Sequence, residues 1–187
     1  MKFGLFFEHE VPRPWHEGDE KRKFDEAMEQ IELADRLGFD CAWVVEHHFL
    51  EEYSHSSAPD LFLAAVSQRT ERIRLGHGIV HTIPAINHPA RVAERVSTLD
   101  VLCGGRVEFG TGEGSAAVEL DAFGVDPQAK RAMWEVGFKL DAGSFMATCP
   151  FNPNPSTHKS IGPSAARRRR TLSQSASGSA GLLWKPK

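Results

Sequence analysis

Residues 87–114 read NHPARVAERVSTLDVLCGGRVEFGTGEG, and the order of their parts decides the fold. Pro89 suits the first turn of a helix, because the N–H it lacks has no partner there. Val92, Val96 and Leu99 return at three- and four-residue steps on one face of a helix over 89–102, and Gly104-Gly105 stops it. RVEFG at 106–110 then reads as a strand, and TGEGS at 111–115 as a glycine-rich turn. The same units recur on either side. KFGLFF at 2–7 and CAWVV at 41–45 are short apolar runs that break abruptly into polar residues, as buried strands do at their ends. Between them, Phe24, Met28, Ile31, Ala34 and Leu37 mark an amphipathic helix over 21–37, closed by Gly38. Pro59 opens a helix over 59–69, residues 73–80 form a third strand, and residues 116–123 and 127–140 read as helices. Strand and helix alternating in this way define a parallel α/β fold, since parallel neighbours need a crossover. Strand starts at 2, 41, 73 and 106 give about 35 residues per unit, so eight units need roughly 280 residues. Either the fold is an open parallel α/β sheet, or it is an incomplete barrel of about four βα units.

The chain has 187 residues and a net charge of −3, but the charge is divided unevenly. Residues 141–187 carry seven Lys and Arg against Asp141, while residues 1–140 carry a net −9. That last stretch has only 6 residues from Ile, Leu, Val and Phe, too little apolar surface to offset the entropy of ordering it. Two segments are therefore expected, an α/β body at 1–140 and a low-complexity basic tail at 141–187 that is mostly disordered. Arg167–Arg170 lacks interleaved aromatics and reads as a solvated run rather than a nucleic-acid surface. Cys41, Cys103 and Cys149 show neither a disulfide framework nor zinc spacing, which points to a reducing compartment. No apolar run reaches signal-peptide or membrane-spanning length, so a cytoplasmic protein without membrane contact is expected.

Polar groups follow the strands in a regular way. Glu8 and His9, then Glu46, His47 and His48, then His81, then Thr111 and Glu113 each come after an apolar run. Parallel strands deliver such residues to one carboxyl edge, where ligands bind in barrels and open sheets alike. One reading of this rim is a metal-dependent hydrolase using Glu46, His47, His48, His55, His77 and His81, with His77 and His81 four apart on one strand face. No H-E-x-x-H spacing supports it, and no metal ligand is assigned. Gly110, Gly112 and Gly114 give G-x-G-x-G, but Ser115 stands where a dinucleotide fingerprint needs its last glycine.

FGLFFEHE at 3–10, EHHF at 46–49, the 87–114 stretch, FGVDP at 123–127 and KRAMWE at 130–135 together resemble the bacterial luciferase-like flavin-dependent monooxygenases, over about residues 1–140. The resemblance implies an incomplete βα (TIM-type) barrel, a partial domain of about four N-terminal βα units at 1–140 followed by a disordered or out-of-frame tail at 141–187, that uses reduced FMN, or less favourably the deazaflavin F420, with dioxygen and a small organic substrate such as an aldehyde. It also implies a flavin reductase as the source of reduced flavin, and a homo- or hetero-oligomer. By the same resemblance His47 is the candidate catalytic acid or base, and Glu46, Gly78, Ile79, Gly112 and Arg131 are cofactor-binding. Gly78-Ile79 falls where the family has a non-prolyl cis peptide, and Arg131 where an arginine grips the flavin phosphate. One departure stands out: Glu113 occupies a position at which many relatives carry a phosphate-binding arginine, and a carboxylate there repels phosphate. Because the family's barrel continues for four more strands, the alternative is a non-catalytic half-barrel whose fourth strand is left unpaired.

Overall fold

The computed structural model describes residues 1–140 together with residues 173–174 and 181–184. Along the chain run β1 (Gly4–Phe7), α1 (Asp19–Leu37), β2 (Cys41–Val44), α2 (Pro59–Ser67), β3 (Arg74–His77), β4 (Val80–His81), α3 (Pro89–Leu102), β5 (Val107–Gly112), α4 (Ala117–Ala122) and α5 (Lys130–Leu140). The two further strands are β6 (Ser173–Gln174) and β7 (Gly181–Trp184). β1, β2, β3 and β5 lie side by side in that order and all parallel, in the register Gly4 to Cys41, Cys41 to Arg74 and Leu75 to Val107. This is the expected parallel α/β architecture, and the described strands do not close into a ring.

Register decides which side chains share a face, because neighbours in step point the same way. Leu5, Phe7, Ala42, Val44, Leu75 and Phe109 face the helices and pack with Ile31, Leu63, Val66, Val92, Val96 and Leu99 into the main core. Asp35 ties α1 to the loop before β3 by accepting the backbone N–H groups of Glu71, Arg72 and Ile73 at 2.7–2.9 Å. Burial would raise the pKa of its carboxyl, but these bonds outweigh burial and hold it below the usual range. The opposite face carries Phe6, Trp43, Gly76 and Glu108, with Arg74 paired to Glu108. Here Gly76 is obligatory: a Cβ on it would lie 2.3 Å from the Trp43 ring. Phe6, 60% exposed, is not covered by any of the described residues.

Three expectations change. The strand expected over 73–80 divides into β3 and β4 around a cis peptide at Gly78-Ile79, the position at which the resemblance implies one. β5 runs on to Gly112, so Thr111 and Gly112 pair with Val80 and His81 instead of opening the turn. The fourth strand unit is not left with a bare edge either, since β7 pairs antiparallel with β5 and β6 with β7. Apart from those two strands, the tail expected to be disordered lies outside the described residues. None of the described helices is long and apolar enough to cross a membrane.

Candidate functional site

The site is built where β2 leaves the sheet. Glu46 N–H donates to the Ile79 carbonyl at 3.0 Å and His47 N–H to the Ser56 carbonyl at 2.9 Å, fixing two successive residues from opposite sides. Glu46, buried, is a hub. Its Oε1 accepts from Asn87 Nδ2 at 2.7 Å and from His48 Nε2 at 3.0 Å, and its Oε2 accepts the His81 backbone N–H at 2.8 Å. With three partners on two oxygens, Glu46 acts as an acceptor that holds other groups in place.

His47 stands between two carboxylates. Its Nδ1 lies 3.0 Å from Glu119 Oε1 on α4, and its Nε2 lies 3.7 Å from Glu8 Oε2 at the end of β1. Glu119, 1% exposed, also accepts the His48 backbone N–H at 2.7 Å. Burial alone would lower the pKa of the His47 imidazole, but the Glu119 hydrogen bond and the charges of Glu119, Glu8 and Glu46 outweigh it and raise the pKa. Burial raises the pKa of Glu119, yet the bonds from His47 and His48 and the nearby imidazoles bring it below the usual carboxylate range. Glu8 moves up, chiefly through burial, against the pull of His47 and of the Tyr53 hydroxyl, which donates to Glu8 Oε1 at 3.2 Å. His47 thus spans two carboxylates, hydrogen-bonded to the buried Glu119 through Nδ1, with Nε2 on the side of Glu8 at the rim.

His81 lies below them, almost fully buried, and neither ring nitrogen has a partner. Burial lowers its pKa in spite of Glu46 and Glu119. Gly114 folds the turn after β5 over this ring at φ +69, and a Cβ there would lie 2.7 Å from it. A side chain would be excluded twice, by conformation and by space. Gly78 and Gly112 flank the same floor: a Cβ on Gly78 would meet Phe6 at 3.0 Å, and one on Gly112 would sit 3.5 Å from Ile79.

Of the residues singled out in the sequence, Glu8, Glu46, His47, His48 and His81 come together, with Gly78, Ile79 and Gly112 beside them. Others do not. His9 turns into the helix layer at φ 55 and stacks on Phe24 at 4.5 Å. His55 pairs with Glu20, and His77 with Asp60 on the core side, so two of the six groups of the metal-hydrolase reading lie away from the other four. Among the described residues, no group of three or more His, Cys, Asp or Glu is arranged to hold a metal ion. Arg131 lies exposed on α5 and pairs with Glu135 at 3.3 Å. Its neighbour Lys130 reaches the glycine turn instead, donating to the Gly114 carbonyl at 2.7 Å and lying 3.7 Å from Glu113. Thr111 meets Thr82 at 3.0 Å and accepts from Trp134 Nε1 at 3.2 Å, which secures β5 to the packing around α5. Sequence reasoning missed Glu119 and Asn87. No local signal marks Glu119, which reaches His47 across 72 residues of chain; Asn87 stood inside a quoted motif with no role assigned.

A flavin offers a flat apolar ring with a polar edge and, in FMN, a phosphate. The residues present fit the ring end: small glycines and Ile79 form an apolar floor, and the partly exposed His47 and His48 rings supply polar groups beside it. At the phosphate end the described residues fit less well, because Lys130 is already neutralised by Glu113.

Residues 1–135 match the luciferase-like monooxygenase family, and the chain belongs to that family. It is 40% identical over 142 residues to limonene 1,2-monooxygenase of Rhodococcus erythropolis, covering 75% of this chain and 35% of the relative. It is 29% identical over 142 residues to the oxygenase component of the flavin-dependent trigonelline monooxygenase of Acinetobacter baylyi, covering 75% and 36%. Among solved structures, monooxygenase RslO1 of Streptomyces bottropensis superposes with a TM-score of 0.68 at 35% identity, covering 75% of this chain and 42% of that one. The chain thus spans about a third to two fifths of the length of these relatives.

Proposed function

We propose that this rim is the flavin-facing half of a monooxygenase site that uses reduced FMN and dioxygen on a small organic substrate such as an aldehyde. The observation that carries the reading is His47, held between Glu119 and Glu8 at the rim, with its pKa raised by their charges. When bound, reduced flavin supplies the two electrons of the reaction, in which one oxygen atom enters the substrate and the other leaves as water. This chain's own part is to hold the ring on the Gly78, Ile79 and Gly112 floor, to keep water from its inner side, and to hold a proton at His47 Nε2 for the reacting oxygen. Glu119 keeps Nδ1 protonated, which leaves Nε2 as the nitrogen that gains and loses the proton.

Arg131 enters as a phosphate ligand only if it leaves Glu135, so Lys130 is the nearer cation for that role. The source of reduced flavin is a separate flavin reductase, in keeping with the oxygenase-component relative. The rest of the substrate pocket comes from outside the described residues or from a further subunit. The β1 edge, which has no second partner among the described residues, supports the alternative reading of a half-barrel without activity of its own.

Anaerobic titration with reduced FMN, reduced riboflavin and reduced F420 separates these readings. Saturable binding of FMN and riboflavin within about tenfold of each other, weakened at least tenfold in Gly112→Val, supports the site. Saturation by none of the three refutes it and leaves the half-barrel, whereas preference for F420 refutes the FMN assignment.

A further inference from the structure

We propose that Asp60, Arg95 and Asn87 are positioning residues that set the rotamer of Glu46 from the core side, and through it the tautomer and orientation of His48. The contacts form one continuous path. His77, 0% exposed and packed edge-on against Phe109, presents Nε2 to Asp60 Oδ1 at 2.8 Å. Asp60 Oδ2 lies 2.8 Å from Arg95 Nε, and Arg95 Nη2 donates to Asn87 Oδ1 at 3.2 Å. Asn87 Nδ2 then donates to Glu46 Oε1 at 2.7 Å, the same oxygen that meets His48 Nε2 at 3.0 Å.

Asp60 meets Arg95 as an ion pair, and each hydrogen-bonded step has only one possible polarity. Arginine has donors and no acceptor, so its partner on Asn87 must be the carbonyl oxygen. The amide group of Asn87 is thereby directed at Glu46, which as a carboxylate has only acceptors. With its own orientation fixed, Glu46 presents a lone pair to His48 Nε2, so His48 carries its proton there. An asparagine without the Arg95 contact could turn over and present its carbonyl to Glu46, acceptor against acceptor. Asp60 prevents Arg95 from swinging into solvent, and it is itself anchored by an imidazole that cannot move without disturbing the core. The path joins α2, α3 and the loop after β4 to the rim. Its value to the reaction rests on the proposed function, but its existence does not.

The test reads the ring nitrogens of His48 and His47 by NMR in uniformly labelled protein, without flavin, so it stands apart from any failure of flavin binding. Expected in the wild type is the Nε2–H form of His48. Arg95→Met and Asn87→Leu each raise its minor tautomer about fivefold, the scale of one lost hydrogen bond. The double variant matches Asn87→Leu alone, because Arg95 acts through Asn87. His47, held by Glu119, keeps its signals in all three. Unchanged His48 nitrogens in Arg95→Met, additive effects in the double variant, or an equal disturbance of His47 would each overturn the proposal. Asn87→Ser and Arg95→Gln give the same readout should a larger change fail to fold.

Discussion

Acidification should unfasten the loop that carries Glu8, and His9 is the reason. Its ring lies 3% exposed between Phe24 and Phe62, at centroid distances of 4.5 and 4.6 Å, with neither nitrogen hydrogen-bonded. Burial above all, with the charges of Lys23 and His55 behind it, lowers its pKa from 6.5 to about 4. The unfolded chain therefore takes up this proton first. Stability from this group is complete above pH 6.5, declines as pH falls toward 4, and declines no further below that. At about 1.4 kcal/mol for each pH unit crossed, the loss is about 2 kcal/mol at pH 5 and about 3 kcal/mol at pH 4. His47 and Glu8, both raised, act in the opposite direction: the His47 contribution is complete below its unfolded value and is lost as pH rises through the folded one, and Glu8 gains as pH falls through its folded value. The comparison must therefore be differential. His9→Asn suits it, because asparagine accepts the positive φ of 55 and does not titrate in this range. Urea unfolding from pH 7 to 4 should show the wild type losing about 3 kcal/mol more than the variant across the range, whatever constant offset the lost stacking introduces. Parallel curves for the two proteins would show that His9 is not buried neutral, and the reasoning would fail.

Other consequences can be checked separately. Glu119→Gln removes the charge beside His47 and should lower its titration midpoint, followed by NMR; Glu119→Leu also strands the His48 N–H and should cost about 1–3 kcal/mol in unfolding experiments. Gly76→Ala drives a Cβ into the Trp43 ring and should destabilise by about 1–3 kcal/mol, whereas Gly112→Ala meets ordinary contacts and should stay within about 1 kcal/mol. Lys130→Ala should weaken reduced FMN but not reduced riboflavin, and Glu113→Arg should strengthen FMN by about tenfold or more, both measured by titration.

Much of this architecture was legible because the information is local. Apolar runs that end in charged residues, helices that begin at Pro59 and Pro89, and glycines such as Gly38 after α1 and Gly104 after α3 report backbone preferences that hold wherever the segment lies. The rim could be read for the same reason: in a parallel sheet, residues just after strands must collect at one edge, and Glu46, His47 and His48 do. The errors fall where local periodicity gives way. Residues 73–80 read as one strand, but the backbone turns at Gly78-Ile79 and sends His77 to the core and His81 to the rim. Their four-residue spacing would have kept them on one face.

The alternation of strands and helices, the family, and the edge at which polar residues gather were all readable along the chain, because each depends on short-range spacing. Which carboxylate serves which imidazole was not, and emerges with the packed fold. Glu119 meets His47 across 72 residues, Asn87 meets Glu46 across 41, and His9 leaves the rim for the helix layer. Such pairings depend on strand register and on how α2, α3 and α4 pack, and Coulomb and hydrogen-bond energies act over distances that exist only once the sheet is assembled.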